Sequence, residues 1–239
     1  MHPTQRPPRP EILTTGEIAV RGRLPWSSNG TFLVEVCGAE GAEPVRAVYK
    51  PLRGERPLWD YPRGLYRREV AAYALSEWLG WGLVPETVER DGPLGPGSLQ
   101  RFVDADFAEH YFTLVERPEH HEALRRICAF DLLANSGDRK SGHCLIDGDG
   151  RIWAIDNGLS FHPHPKLRTV IWDFEGQPLP DACMESVRRL ALAASPPEPL
   201  VPLLTAGELA ALAGRAAAIV RDPFFPSARS ARAFPWPLV

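Results

Sequence analysis

The chain has 239 residues, 44% of them hydrophobic and 24% charged, with a formal net charge of −3. That is the composition of an ordinary soluble globular protein, large enough for one big domain or two small lobes around a real core. The slight acidity excludes a globally basic nucleic-acid binder and a polybasic membrane anchor.

In chain order, Met1 to Pro10 is Pro-rich without an apolar core, so it reads as a disordered arm rather than a signal peptide. Glu11 to Val20 fits a short helix or a strand equally well. Ser27-Ser28-Asn29-Gly30-Thr31 is an Asn-Gly turn feeding a strand, Phe32 to Val36. Such a turn can lend N–H groups to phosphates, although most are plain hairpin turns. After a Gly-rich spacer, Gly38 to Ala42, comes a second strand, Val45 to Lys50, ended by Pro51. Lysine occurs only at positions 50, 140 and 166 among 27 basic residues. An ammonium at Lys50 is therefore either required there or an accident of usage. Helical periodicity next places Tyr66, Glu69, Val70, Tyr73 and Ala74 on one face. An acid among apolar side chains needs a partner, and Lys50 is the natural one; otherwise Glu69 snorkels to solvent.

Val84 to Val88 and Ser98 to Val103 read as strands around a loop, Asp91 to Gly97. Residues 119–133 form a helix, as do Cys183–Ala194 and Leu203–Val220. Glu208 and Arg215 make the last amphipathic rather than membrane-spanning, so no integral membrane segment is expected. The tail, 222–239, either packs across the surface or is disordered. Cys37, Cys128, Cys144 and Cys183 form no C-x-x-C pair, which points to free thiols and a reducing cytoplasm. His120-His121 and His162-Pro-His164 lack a matching ligand set for zinc.

The chemistry is concentrated in Asn135-Ser-Gly-Asp-Arg-Lys-Ser-Gly-His143 and Ile155-Asp-Asn-Gly158. Asp138 lies in a Gly-flanked loop after a helix. Asp156 ends a short strand, and the hairpin over Leu145 to Gly150 would bring the two carboxylates across one cleft. Phosphoryl transfer needs that division: one acid orients the attacking hydroxyl, another holds magnesium against the phosphates. The plainer alternative is that both Asp residues cap turns.

The order of parts is that of a protein-kinase-like ATP phosphotransferase, without His-Arg-Asp or Asp-Phe-Gly. Gly97 to Val103, Phe130 to Arg139 and Ile155 to Phe161, with Trp172-Asp-Phe and Leu179-Pro180 beyond, resemble the phosphatidylinositol 3-/4-kinase group. The wording is most similar to the type II phosphatidylinositol 4-kinases, as a bacterial member, and bacterial HipA-type kinases share the same logic. The match is specific over about residues 97–180 and looser over 27–96.

The resemblance implies an α+β, two-lobed protein-kinase-like fold, with a small sheet lobe carrying one helix (11–103) and a reduced, mostly helical lobe (104–221). It implies ATP and Mg²⁺ or Mn²⁺ as cofactors. Lys50 would bind the α/β-phosphates and pair with Glu69, and Ser27 to Thr31 would close over the phosphates. Gln100, Phe102 and Val103 would hold adenine. Asp138 would orient the acceptor hydroxyl within a catalytic segment that includes Asn135, and Asp156 would ligate the metal. Where the family has a second metal-binding Asn, this chain has His143, an imidazole that favours other metals over magnesium. Lys140 would neutralise the transferred phosphoryl or else face solvent. The family's Cys-rich insert and lipid-gripping region are missing, so the hydroxyl acceptor is a lipid, a small molecule or a protein. A nucleotide-binding pseudokinase and an AMP transferase are the alternatives.

Overall fold

The computed structural model describes residues 12–25, 27, 29–39, 43–228 and 230–239. The arm 1–10, Ser28 and residues 40–42 of the Gly-rich spacer therefore lie outside the described residues. A short helix, α1 (Ile12–Thr15), leads into β1 (Glu17–Arg23), β2 (Phe32–Cys37) and β3 (Val45–Pro51). Helix α2 (Leu65–Trp78) then precedes β4 (Thr87–Gly92) and β5 (Gly95–Arg101). The five strands form one antiparallel sheet in the order β1-β2-β3-β5-β4.

Successive strand residues face opposite sides of a sheet. Val34 and Val36, Ala47 and Tyr49, and Leu99 thus share one face, where Leu13 of α1 and Ile18 of β1 complete a small core. The alternate β3 residues, Arg46, Val48 and Lys50, are sent to the opposite face, and Lys50 pairs across the ladder with Ser98.

Helix α2 is the middle layer. Ten of its fourteen residues are buried, so it is enclosed on nearly all sides rather than lying on a surface. Its first turn is capped from a distance: the Glu55 carboxylate accepts from the N–H groups of Gly64 (2.8 Å) and Tyr66 (2.9 Å). Beyond it lies a helical lobe of α3 (Tyr111–Leu114), α4 (His121–Ala134), the hairpin β6 (Cys144–Ile146) and β7 (Ile152–Ala154), α5 (Asp181–Leu192) and α6 (Ala206–Arg221). One large core joins α2, α4, α5, α6 and that hairpin. This is the two-lobed α+β arrangement expected, with α1 as an additional helix in the sheet lobe.

Several boundaries moved for identifiable reasons. Within the stretch expected as helix or strand, Ile12–Thr15 is a helix and a strand follows from Glu17, while Glu11 lies outside the described residues. The strand expected from Val84 begins at Thr87, after Pro85, which has no N–H to give to a ladder. The expected loop 91–97 is mostly ladder: Asp91 pairs with Pro96 and Gly92 with Gly95 around a tight turn.

The tail packs. Phe225 is 3% exposed, and its N–H and C=O bond to Gln177 and Gly176. Farther along, the carbonyls of Ala233 and Leu238 accept from Thr169 and Ser141 at 3.0 and 2.8 Å. If this packing holds the tail, Phe225→Ala will destabilise the fold by about 3–5 kcal/mol in denaturant unfolding, the usual cost of emptying a buried aromatic site. A disordered tail would show no change.

Candidate active site

The Lys50 ammonium lies between two carboxylates. Nζ donates to Glu69 Oε1 and, at 2.7 Å, to Asp156 Oδ1. Glu69, on the second turn of α2 and 3% exposed, uses its other oxygen to accept the Asn157 N–H at 2.9 Å. One buried acid therefore ties the sheet lysine to the segment bearing Asp156. Burial works against charge on Lys50, yet Asp156 and Glu69 raise its pKa above the ordinary lysine value and keep it cationic. Burial pushes the Glu69 carboxyl up, opposed by Lys50. The Lys50 charge holds Asp156 well below the usual carboxylate range, and half of the Asp156 side chain faces the cleft.

Asp138 follows α4 and Gly137. The Gly137 N–H donates to Leu159 O at 2.7 Å, and a Cβ there would meet the Tyr61 hydroxyl at 2.9 Å, so only glycine fits this approach. Burial pushes the Asp138 carboxyl up to about 6; Lys140, whose Nζ is 3.5 Å away, pulls it down, while Asp156 adds to the rise. Asp138 therefore titrates just below neutrality, where a proton-accepting carboxylate is most useful.

Burial pulls the His143 imidazole down to about 4, so it is neutral at pH 7. Its Nδ1 accepts the Lys140 N–H at 3.2 Å, which leaves the proton on Nε2, 3.4 Å from Asp156 Oδ2. In this tautomer His143 donates toward Asp156, the carboxylate expected to hold the metal. Among the described residues no group of three or more His, Cys, Asp or Glu side chains is gathered for a metal ion. Asp156 alone still fits magnesium, which commonly takes one or two carboxylates and draws its other ligands from water and substrate phosphates.

Asn135, expected within the catalytic segment, sits at the end of the helix that precedes Asp138. Asn135 caps α4 in the left-handed region (φ 55°) and is 3% exposed. Its amide donates to the carbonyls of His162 and His164, both at 2.8 Å, and accepts the Lys166 N–H at 2.9 Å. Both of its amide protons and one lone pair of Oδ1 thus go to anchoring the loop of residues 162–166.

The phosphate-side turn is tied down as well. Ser27 and Thr31 hydroxyls lie 2.7 Å apart, Asn29 accepts the Arg56 N–H at 3.0 Å, and Gly30 N–H donates to Gly54 O at 2.8 Å. Gly30 and Gly54 approach so closely that a Cβ on Gly54 would meet the Gly30 carbonyl oxygen at 2.7 Å, and one on Gly30 would sit tightly at 3.0 Å from Gly54 Cα. Ser27, Asn29, Gly30, Thr31, Lys50, Glu69, Asp138 and Asp156 together line one cavity of about 300 Å³. Of the expected phosphate-turn residues, only Ser28 lies outside the described residues.

The residues expected to hold adenine are not in that cavity. The Gln100 amide is buried and donates to Thr87 Oγ1 at 2.8 Å. Phe102 and Val103 line a second cavity of about 580 Å³ with Tyr73, Glu86 and Trp153, to which β1 to β3 contribute nothing. Arg101 and Phe102 N–H groups are already bound to Glu86 O (2.8 Å) and Arg46 O (3.0 Å). Among the described residues no backbone acceptor takes the Val103 N–H.

Sequence reasoning missed the residue that joins these parts. Arg139, 1% exposed, donates from Nε and Nη2 to the wholly buried Asp131 of α4, at 2.9–3.1 Å. It also donates to Ile155 O at 2.5 Å and to Asn157 Oδ1 at 2.6 Å, on either side of Asp156. The signal was available: Asp131 falls on the same α4 face as Leu124, Ile127 and Cys128, and a buried carboxylate demands a cation.

No family model matches the chain. It is 38% identical over 262 aligned positions to Protein Rv2133c of Mycobacterium tuberculosis (strain ATCC 25618 / H37Rv), covering 95% of this chain and 94% of that one. The chain belongs to the family of that protein. Among solved structures, hydra Fam20 with sugar matches 88% of this chain and 86% of its own at TM-score 0.59 and 13% identity. The Golgi casein kinase with Mn/ADP bound matches 87% and 73% at TM-score 0.55 and 14% identity. The Helicobacter pylori proinflammatory kinase CtkA matches 88% and 93% at TM-score 0.51 and 11% identity. The fold is protein-kinase-like.

Removing one partner of a buried ion pair strands the other charge. Arg139→Met should therefore lower unfolding free energy by about 3–5 kcal/mol in denaturant titration. A loss under about 1 kcal/mol, the scale of a surface pair, would contradict this account.

Proposed function

We propose that this protein is an ATP- and divalent-metal-dependent phosphotransferase that moves the γ-phosphate to a hydroxyl acceptor. The observation that carries this reading is the Lys50 bridge between Glu69 and Asp156, in one cavity with Asp138. A nucleotide-binding pseudokinase would also use Lys50, Glu69 and Asp156, so it is the placement of Asp138 in the same cavity that favours transfer. Lys50 meets the α/β-phosphates with a charge already oriented by Glu69. Asp156 would hold the metal, which would neutralise phosphate charge, and His143 Nε2 lies 3.4 Å from the second carboxylate oxygen. Asp138 accepts a hydrogen bond from the acceptor hydroxyl and aligns it, while Lys140 offsets the charge that develops on the transferred group. The Val103 N–H is left as the donor for the nucleobase edge. In this reading the sheet lobe spans 11–103 and the helical lobe 104–221.

The acceptor hydroxyl belongs to a lipid, a small molecule or a protein. The sequence resemblance to phosphatidylinositol 3-/4-kinases favours a headgroup, and the structural likeness to the Golgi casein kinase and CtkA supports the broader class of kinases. No helix among the described residues is long and apolar enough to cross a membrane.

ATP turnover with Mg²⁺ or Mn²⁺ tests the proposal. Asp138→Asn should lose about 100-fold or more in turnover, the scale of a lost general base, while calorimetric ATP binding persists. In parallel, Asp156→Ala should abolish metal-dependent ATP binding. Binding unchanged in Asp156→Ala, or turnover unchanged in Asp138→Asn, would refute these roles.

The pH profile supplies an independent check. Asp138 acts as the carboxylate and burial raises its pKa, so turnover should rise with pH through an acidic limb near 6. Lys140 lowers that pKa, so Lys140→Ala should move the limb to higher pH; a stationary limb would assign it to another group.

A further inference from the structure

Arg68 precedes Glu69 on α2 and reaches away from the cleft into the helical lobe. It is 4% exposed, with Nε donating to Ser160 O at 3.0 Å and Nη2 donating to Glu208 Oε1. Glu208, equally buried, lies in the first turn of α6. Its other oxygen accepts from the Thr205 N–H at 2.8 Å and the Thr205 hydroxyl at 2.9 Å, closing a capping box. The carboxylate that meets Arg68 is thus fixed by the α6 N-terminus.

The two neighbouring α2 residues act on one segment. Glu69 takes the Asn157 N–H and Arg68 takes the Ser160 carbonyl, so together they clamp both ends of residues 157–160, directly after Asp156. Sliding or rotating α2 would break both bonds and separate Glu69 from Lys50. A buried ion pair adds little stability beyond what apolar residues of similar volume provide, because desolvation offsets the attraction. Here the pair, with Arg68 also bonded to Ser160 and Glu208 to Thr205, favours one register of α2 against α6.

We infer that Arg68 and Glu208 form a positioning pair through which α6 sets the register of α2, and so the alignment of Lys50 with Asp156. This rests on the phosphotransferase reading for its catalytic consequence, though not for its structural one. Alignment of the phosphate-binding lysine is in this scheme set from within the helical lobe.

The test compares wild type with the double variant Arg68→Met/Glu208→Gln, which leaves no stranded charge and keeps a residue able to cap α6. Three readouts are taken: thermal unfolding, amide exchange over residues 155–160, and kcat and KM for ATP. The expected result is a melting temperature near wild type, with the Asn157 amide exchanging faster. In addition, kcat should fall by about tenfold or more with a smaller change in KM, as misalignment of a reacting group does. Wild-type exchange at Asn157, or wild-type kcat in a folded double variant, would overturn the inference. If wild type itself turns over no ATP, the phosphotransferase reading fails while the exchange comparison still decides the positioning claim. Should the double variant not fold, Arg68→Lys keeps the charge but cannot serve both Glu208 and Ser160, and the same exchange criterion applies.

Discussion

The site depends on one buried guanidinium. Arg139 bonds to Asp131 in α4, to the Ile155 carbonyl and to the Asn157 side chain, so α4 and the segment 155–157 meet at one planar group carried by the Asp138 loop. Asp131 is further satisfied by Ser136 Oγ at 2.8 Å and Thr169 Oγ1 at 3.2 Å. A buried charge is tolerable only with its hydrogen bonds complete. The demand for completeness turns Arg139 into a ruler: Asp138, its chain neighbour, and Asp156, between two of its acceptors, cannot move independently. Lysine could not replace it, since a point charge with three donors does not span that planar set of acceptors.

Around this centre the charges are sorted by environment. Asp156 is half-exposed beside an ammonium and stays ionised, whereas Asp138 is less exposed, faces a more distant lysine and titrates near 6. Two carboxylates of the same kind are driven to different protonation behaviour by their surroundings, the pattern expected where one holds a cation and the other handles a proton. His143 stays neutral because it is buried, and its hydrogen bond to Lys140 N–H decides which nitrogen carries the proton.

The backbone of the catalytic loop is held from both sides. Residues 168–170 bond to Arg139 N–H and C=O, and the tail bonds both to that support at Thr169 and to the loop at Ser141. The last residues of the chain thereby contribute to the geometry of Asp138, some 100 positions earlier in sequence. Together with α2, pinned at Glu69 and Arg68, this leaves a cleft whose working groups are supported by bonds from several separate segments.

Much of this was legible in the sequence. The scarcity of lysine marked Lys50, helical periodicity marked Glu69, and Gly-flanked or Asn-Gly contexts marked Asp138 and Asp156, because composition, a 3.6-residue period and turn chemistry are read from the chain itself. These four meet in one cavity as their positions suggested. What the sequence alone did not decide was which polar residues work and which merely hold. Asn135 anchors a loop, His143 Nδ1 is taken by the Lys140 N–H, and Gln100 bonds to Thr87, and no local pattern announced any of these partners. Arg68 and Glu208 are 140 positions apart, and no periodicity links them. Side-chain hydrogen bonds are assigned only when distant segments come within about 3 Å, so local pattern selects the chemistry available and tertiary packing assigns each group its task.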